Sequence, residues 1–474
     1  MAINVTSFYT YRWRYWIGYS FLGLLFITLL LFAGLYVPGG ISSQEMNTVV
    51  KSSTISLTNI HSLAITNLPY HLLQRISLAV LGVNEFSIKL PSLILAFFSA
   101  LGLVILLRRW FRPNIALLAS VIAVTTGQFL FIAQSGTPDI LYVLWAVWLL
   151  LLGTLIAKRS GPRTLWKVLF FVVSALSLYT PLSIYALIAL ASAAVLHPHL
   201  RYIIKQLSKL KLAGAFGLGV IIVIPLIVGV AQSKELGLTI LGIPTRLPNI
   251  GTNLGELVQQ YLGFAQPSST TLMTPVFGLG SMLIIGFGAM KLVRTWQSTQ
   301  SYLIITWLLC LVPILITNPR FTSVTFLPLV LLLATGLSSL LSSWYTLFPR
   351  NPYARIAGLI PLVALVGALV LTGLERYAYG YHYDPQTVQN FSHDLSLLPK
   401  DTRSLVVTDG QLPFYQVVSA HAKNMTVTTQ STAKTFVTTR AAKKSFKGYQ
   451  VIRIITSSSL QNADRLYIYK KTSD

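Results

Sequence analysis

The stretch IKLPSLILAFFSALGLVILLRRWFRPNIALLASVIAVTTGQFLFIAQSGTPDILYVLWAVWLLLLGTLIAKR, residues 88–159, decides the fold. It holds three apolar runs, about 88–107, 114–131 and 139–157. A basic turn with Arg108, Arg109 and Arg112 parts the first two, and QSGTPD (134–139) parts the second from the third, which ends on Lys158 and Arg159. Apolar runs of this length read as helices that cross a bilayer. The acid Asp139 and the arginines then fall on opposite faces of the membrane.

Working outward, the same pattern repeats at about 16–37, 166–179, 181–197, 213–231, 274–290, 301–317, 323–342 and 356–374. The composition agrees: 54% of residues are hydrophobic, only 10% are charged, and mean hydropathy is +0.66. A soluble chain carries about a quarter charged residues. The first span lacks a small-residue cleavage site and is expected to remain as an anchor. The run at 166–179 is short enough to be tilted or re-entrant.

Basic residues set the expected orientation. One set of alternate loops holds Arg12 and Arg14; Arg108, Arg109 and Arg112; Lys158, Arg159, Arg163 and Lys167; Arg201, Lys205, Lys209 and Lys211; Lys291 and Arg294; Arg350 and Arg355. The other set, up to residue 374, holds only Lys51, Arg75, Lys89, Lys234, Arg246 and Arg320. The split of 17 to 6 predicts a cytoplasmic N-terminus and an extracytoplasmic C-terminus. The net charge of +24 is accounted for mostly by loops facing anionic headgroups, and no nucleic-acid motif is present. Cys310 is the only cysteine, so there is no disulfide and no thiolate metal cage. His61 and His71 are too isolated to argue for a metal, and neither metal nor cofactor is expected.

The expected fold is mainly α: a polytopic transmembrane helical bundle of about eleven helices with a small C-terminal α/β extracytoplasmic domain. The membrane part covers 1–375, with a long outer loop at 38–87, and the outer domain covers 376–474. In the tail, SLVVTD (404–409), NMTVTTQ (424–430), GYQVIRIITS (448–457) and RLYIYKK (465–471) read as strands. PFYQVVSAHA (413–422) and TVQNFSHDLSLL (387–398) read as helices. TDG at 408–410 resembles half of a nucleotide-type crossover, although a structural or acceptor-binding role outweighs a second active site there.

Acids are scarce and informative. Residues 1–374 contain five: Glu45, Glu85, Asp139, Glu235 and Glu256. All five fall on the predicted outer face, where any chemistry is therefore expected. Glu85 and Glu235 read as ordinary loop acids, and Asp139 can also be read as a helix cap. The segment 69–83 is amphipathic and reads as lying along the membrane surface.

The outer loop carries Gln44–Glu45, then Asn67-Leu68-Pro69-Tyr70, then Gly82-Val83-Asn84-Glu85 and Lys89-Leu90-Pro91-Ser92, and Thr137-Pro138-Asp139 follows in the next outer turn. In that order, the chain resembles GT-C-type glycosyltransferases of the protein O-mannosyltransferase and aminoarabinose transferase group. The resemblance covers about residues 16–200. It implies an inverting membrane transferase, of hexosyl or mannosyl type, using a polyprenyl-phosphate sugar donor and a glycan, lipid or protein acceptor. Where the family usually has Asp followed by Glu, this chain has Gln44 and Glu45, which moves the expected catalytic carboxylate to Glu45.

On this reading Glu45 and Asp139 are the catalytic candidates, Glu45 as the main general base and Asp139 orienting the acceptor or sharing the proton, because an acceptor hydroxyl must lose a proton as it attacks the anomeric carbon. Arg320, in NPRF (318–321), and Lys89 are candidates for the departing lipid phosphate. Gln44 and Tyr70 complete the expected substrate-binding set; Arg75 and Arg246 are weaker candidates. Two other functions fit the same composition: a transporter or flippase of lipid-linked saccharide, and a non-catalytic lipid-binding member of the family, for which Gln44 would be the simplest explanation.

Overall fold

The computed structural model describes residues 9–36, 40–56, 58–158, 162–206, 208–246, 248–263, 276–347, 353, 357, 359–383, 385–422, 425–430, 433–456 and 464–472. Arg159, Arg350 and Arg355 lie outside them. The chain opens with α1 (Tyr9–Tyr36). The segment after α1 then folds into α2 (Ser43–Thr54), α3 (Ile60–Leu63) and α4 (Leu68–Leu81). The bundle continues as α5 (Glu85–Trp110), α6 (Pro113–Val124), α7 (Gly127–Gln134), α8 (Ile140–Ala157) and α9 (Arg163–Ser177). Next come α10 (Ser183–Leu196), α11 (Pro198–Lys205) and α12 (Lys209–Gln232). Two short helices, α13 (Lys234–Leu241) and α14 (Ile250–Leu262), precede α15 (Leu279–Arg294) and α16 (Thr299–Thr317). A 3-10 turn, Pro319–Thr325, leads into α17 (Phe326–Leu347), and α18 (Leu359–Tyr383) closes the bundle.

This is a multi-pass membrane protein. Among the described residues six helical stretches are long and apolar enough to cross a bilayer, or up to eight if the bent pairs α6/α7 (59°) and α10/α11 (88°) each count as one span. Gly18–Phe32 and Thr164–Ser177 are shorter apolar helices, and α15 has 16 residues. The eleven expected runs therefore each coincide with a helix or a bent pair. The α6/α7 bend has a local cause. Thr125 and Thr126 turn their hydroxyls back onto carbonyls three and four residues earlier, and Thr126 then caps α7 by accepting from the Phe129 N–H at 3.3 Å.

The main core is built by the buried faces of α5, α8 and α17. Helices α15 and α17 lie close because Gly288 of α15 and Gly336 of α17 each face the other helix; a Cβ on either would overlap a backbone carbonyl of its neighbour. Helix α18 continues as far as Tyr383 and buries its own Tyr377.

The tail forms α19 (Pro385–Asn390), β1 (Ser404–Val406), α20 (Leu412–His421), β2 (Thr426–Thr428), β3 (Thr435–Thr439), β4 (Tyr449–Thr456) and β5 (Arg465–Lys471). The strand order is β2-β1-β3-β5-β4, with β1 parallel to β2 and β3, and β5 antiparallel to β3 and β4. Strand β3 was not expected from the sequence. The expected helix over 387–398 is broken, because His393 pairs with Ile41 as an antiparallel bridge and Asp394 turns to accept from the Ser396 N–H at 2.8 Å. The sheet and α20 share one hydrophobic cluster with the outer loop: Leu405, Phe414, Tyr415 and Val437 pack with Ile41, Met46, Val49, Leu78 and Ile88. Glu85 also belongs to this seam, its Oε1 accepting the Leu395 N–H at 3.2 Å.

Candidate active site

The sequence Ser42-Ser43-Gln44-Glu45 starts α2 with a capping box. Ser42 Oγ accepts the Glu45 N–H at 3.2 Å, and Glu45 Oε2 accepts the Ser42 N–H at 2.7 Å. The other carboxylate oxygen, Oε1, accepts the Gly136 N–H at 2.5 Å. Glu45 is fully buried, and both of its oxygens are engaged by backbone donors. Gly136 must be glycine: a Cβ there would stand 2.7 Å from Ile88 Cγ2 and 3.1 Å from Glu45 Oε1.

The carbonyl side of the same residue is held by α4. Gln74 Nε2 donates to Gly136 O at 3.4 Å and to Ile88 O at 3.1 Å. Gln74 Oε1 in turn accepts from Ser52 Oγ at 2.6 Å, and His71 Nδ1 stands 2.9 Å from that oxygen. Burial, with the Lys51 charge second, lowers the His71 pKa to about 4, so this imidazole is neutral. Gln74 and His71 were not expected as site residues. Their signal was two polar side chains on the buried face of an otherwise amphipathic helix.

The clamped turn presents Asp139. The acid occupies the N-cap position of α8 but makes no cap bond. Instead its Oδ2 accepts from Thr137 Oγ1 at 2.8 Å. Ser135 Oγ lies 3.1 Å from Thr137 Oγ1. A hydroxyl has one proton, and the Thr137 proton points to Asp139, so Ser135 is the donor in that pair. Burial raises the Asp139 pKa above the ordinary carboxylate range, partly offset by the Thr137 hydroxyl. Asp139 nevertheless keeps part of its surface exposed.

Ser135 also lines a polar cavity of about 530 Å³, together with Ser42, Gln44, Phe131, Gln389 and Asn390. Gln44 is exposed there, next in the chain to the buried Glu45. Tyr70 is fully buried; its OH sits 2.9 Å from Ser92 Oγ, which donates to Thr137 O at 3.3 Å. Desolvation raises its pKa, so it remains a neutral phenol. Lys89 is buried too, donating to Gly40 O at 3.1 Å with its ammonium 5.8 Å from the centre of the Phe391 ring. Tyr70 and Lys89 thus brace the turn and the loop start, whereas Gln44 faces open space.

Arg320 sits in the 3-10 turn, exposed, with no hydrogen-bond partner among the described residues. Its neighbour Phe321 meets Tyr142 edge-on at 6.0 Å, and Tyr142 N–H bonds back to Asp139 O at 3.2 Å. The turn with Arg320 is therefore packed at the same end of α8 as Asp139. Arg75 and Arg246 are exposed on other segments. No group of three or more metal-ligating side chains occurs among the described residues.

Residues 68–228 match the family described as Dolichyl-phosphate-mannose-protein mannosyltransferase. ArnT from Cupriavidus metallidurans, solved bound to undecaprenyl phosphate, superposes with a TM-score of 0.52, covering 95% of this chain and 98% of that one at 11% identity. The chain has the GT-C fold. An oligosaccharyltransferase from Archaeoglobus fulgidus, solved with a tethered acceptor peptide, aligns at a TM-score of 0.49 and 15% identity over 87% of this chain. The matched part spans 64% of that protein's length. Among curated protein sequences none matches this chain. In this bundle the clamp on Gly136, the hydroxyl chain to Asp139 and the cavity lined by Gln44 all lie at one end.

Proposed function

We propose that this membrane protein transfers a sugar from a polyprenyl-phosphate-linked donor to an acceptor hydroxyl, at the extracytoplasmic end of the bundle. The observation that carries the proposal is the directed chain Ser135 Oγ to Thr137 Oγ1 to Asp139 Oδ2, which joins a polar cavity to a carboxylate with a raised pKa. The undecaprenyl phosphate found with ArnT, a protein of the same fold, supports a lipid-phosphate donor.

In the proposed reaction the acceptor oxygen attacks the anomeric carbon as the bond from that carbon to the phosphate oxygen breaks. The electron pair leaves with the lipid phosphate. The acceptor proton passes through Ser135 and Thr137 to Asp139. Arg320, exposed near the same end and without a hydrogen-bond partner among the described residues, meets the charge that grows on the phosphate; its planar fork suits paired phosphate oxygens. Gln44 offers an amide to sugar hydroxyls. Glu45, with both oxygens occupied, holds the turn in place. This assigns proton acceptance to Asp139 and positioning to Glu45. The chain would sit with its N-terminus cytoplasmic, and its C-terminal α/β part would cover the site from outside.

The test is turnover by purified protein supplied with radiolabelled polyprenyl-phosphate hexose. Wild type should release lipid phosphate and transfer label; Asp139→Asn should do neither while still binding donor. Thr137→Val should also be impaired, because it interrupts the chain and leaves the carboxylate. Wild-type turnover in Asp139→Asn would overturn the proposal.

A further inference from the structure

The opposite end of the bundle holds a second cavity. Asp139 precedes α8 and Lys158 follows it, so the two mark opposite ends of a helix about 27 Å long. At the Lys158 end, a channel of about 840 Å³ opens between α8, α9, α10, α11 and α12. Its walls are apolar from Leu212 to Ile227 on α12, which is about 22 Å along the helix axis.

One buried lining residue does not fit an apolar wall. Lys167, on α9, is only 6% exposed and lines the channel. It has no hydrogen-bond or ion-pair partner among the described residues. Nor can a nearby acid supply one, since residues 140–234 contain no Asp or Glu. Lys158, whose ammonium donates to the Arg109 carbonyl, and the exposed His199 stand at the same mouth. The stem of Lys167 is buried, but its ammonium is not among the buried polar atoms without a partner, so the charge is open to the channel. An anion entering this mostly apolar channel would pair with it strongly.

We propose that this channel binds an anionic membrane phospholipid, with its phosphate at Lys167 and an acyl chain along α12. The length supports a phospholipid: half of a bilayer of about 40–45 Å, headgroups included, is about 20–22 Å, close to the length of the channel. The charge supports it too, because the mouth opens among the basic loops, where an anionic leaflet is expected. The proposal is independent of the sugar chemistry at the other end.

The test uses full-length protein in neutral detergent, titrated with phosphatidylglycerol, phosphatidylcholine or undecaprenyl phosphate and read by native mass spectrometry. Wild type should hold phosphatidylglycerol at least about fivefold more tightly than phosphatidylcholine. Lys167→Met should lose that preference, and Lys167→Arg should keep it, which separates charge from folding. Ala191→Trp, which fills the channel and leaves Lys167, should weaken both phospholipids together. The proposal is overturned by equal binding of the two phospholipids to wild type, by a preference that survives in Lys167→Met, or by undecaprenyl phosphate outcompeting phosphatidylglycerol.

Discussion

Glu45 Oε1 accepts the backbone N–H of Gly136 at 2.5 Å, across 91 residues of chain. With Gln74 on the carbonyl side, the bond fixes the turn that carries Ser135, Thr137 and Asp139. Glu45→Gln keeps the shape but replaces one acceptor oxygen with an NH₂ group, so one backbone donor is left facing a donor. Thermal unfolding should show a loss of about 1–3 kcal/mol, the cost of an unmade buried bond. Turnover should fall, yet the pH at which activity half-develops should stay where it is in wild type. A shifted acid limb in Glu45→Gln would mean that Glu45 itself titrates in the reaction.

Asp139 should set that acid limb. Burial favours its neutral form, so its pKa lies above the ordinary 3.8. The carboxylate must be ionised to take a proton, so kcat/KM should rise with pH through a value above the usual Asp range. For stability the sign is opposite: a raised pKa stabilises the folded state at low pH, and that contribution is lost as pH rises through the folded value. Asp139→Asn, always neutral, should therefore melt at or above the wild-type temperature at pH 7 while losing about 10²–10⁴-fold in turnover. A dead variant that also melts early would point to a structural role.

Arg320→Ala should weaken use of the donor by about tenfold or more, and Arg320→Lys by less, since charge survives in lysine but the paired geometry does not. Donor KM, measured at fixed acceptor, separates the two. Equal values for wild type and Arg320→Ala would make the residue an interfacial anchor.

His71 predicts a second pH effect, on stability alone. Its pKa falls from 6.5 to about 4 in the folded chain. Between those values the unfolded chain binds a proton that the folded chain does not, so stability falls as pH drops through that window, by up to roughly 3 kcal/mol. His71→Asn keeps an amide near the Nδ1 position and cannot titrate. The melting temperature of wild type should drop relative to this variant between pH 6.5 and 4; parallel curves would refute the buried neutral imidazole.

Reporter fusions after residues 112, 163 and 211 should give cytoplasmic signal, and a fusion after residue 474 should not. A cytoplasmic C-terminus would reverse the face on which every acid named here is expected to work.

The bundle was legible because its signal is local. Runs of apolar residues can be read one segment at a time, and they led to the same helices. The Thr137-Pro138-Asp139 turn was legible for the same reason. The hydrogen bonding of Glu45 was not, although half of it was written in Ser42-Ser43-Gln44-Glu45, an S-x-x-E capping signature. The other half, the bond to Gly136, depends on α2 meeting a turn far away in sequence. Gln74 was hidden likewise, since a single polar residue on a helix says nothing of what it will face. Strand β3, Thr435–Thr439, is short and gains its place only by pairing with β1 and β5. The break of the 387–398 helix follows from a bridge to Ile41, again a partner from the opposite end of the chain.

That bridge has a consequence for biosynthesis. Gln389 and Asn390 wall the cavity beside Ser42 and Gln44, so the pocket has no complete rim until nearly four hundred residues have left the ribosome. At about 5–20 residues per second, roughly 10–50 s separate synthesis of the Asp139 turn from synthesis of the segment that closes over it. During that interval the outer loop presents Ile41, Met46 and Val49 without their cover of Leu405, Phe414 and Tyr415. A nascent chain stalled before residue 390 would thus be inserted and nearly helical, yet carry a half-built pocket with a sticky apolar face, a natural target for quality-control proteolysis.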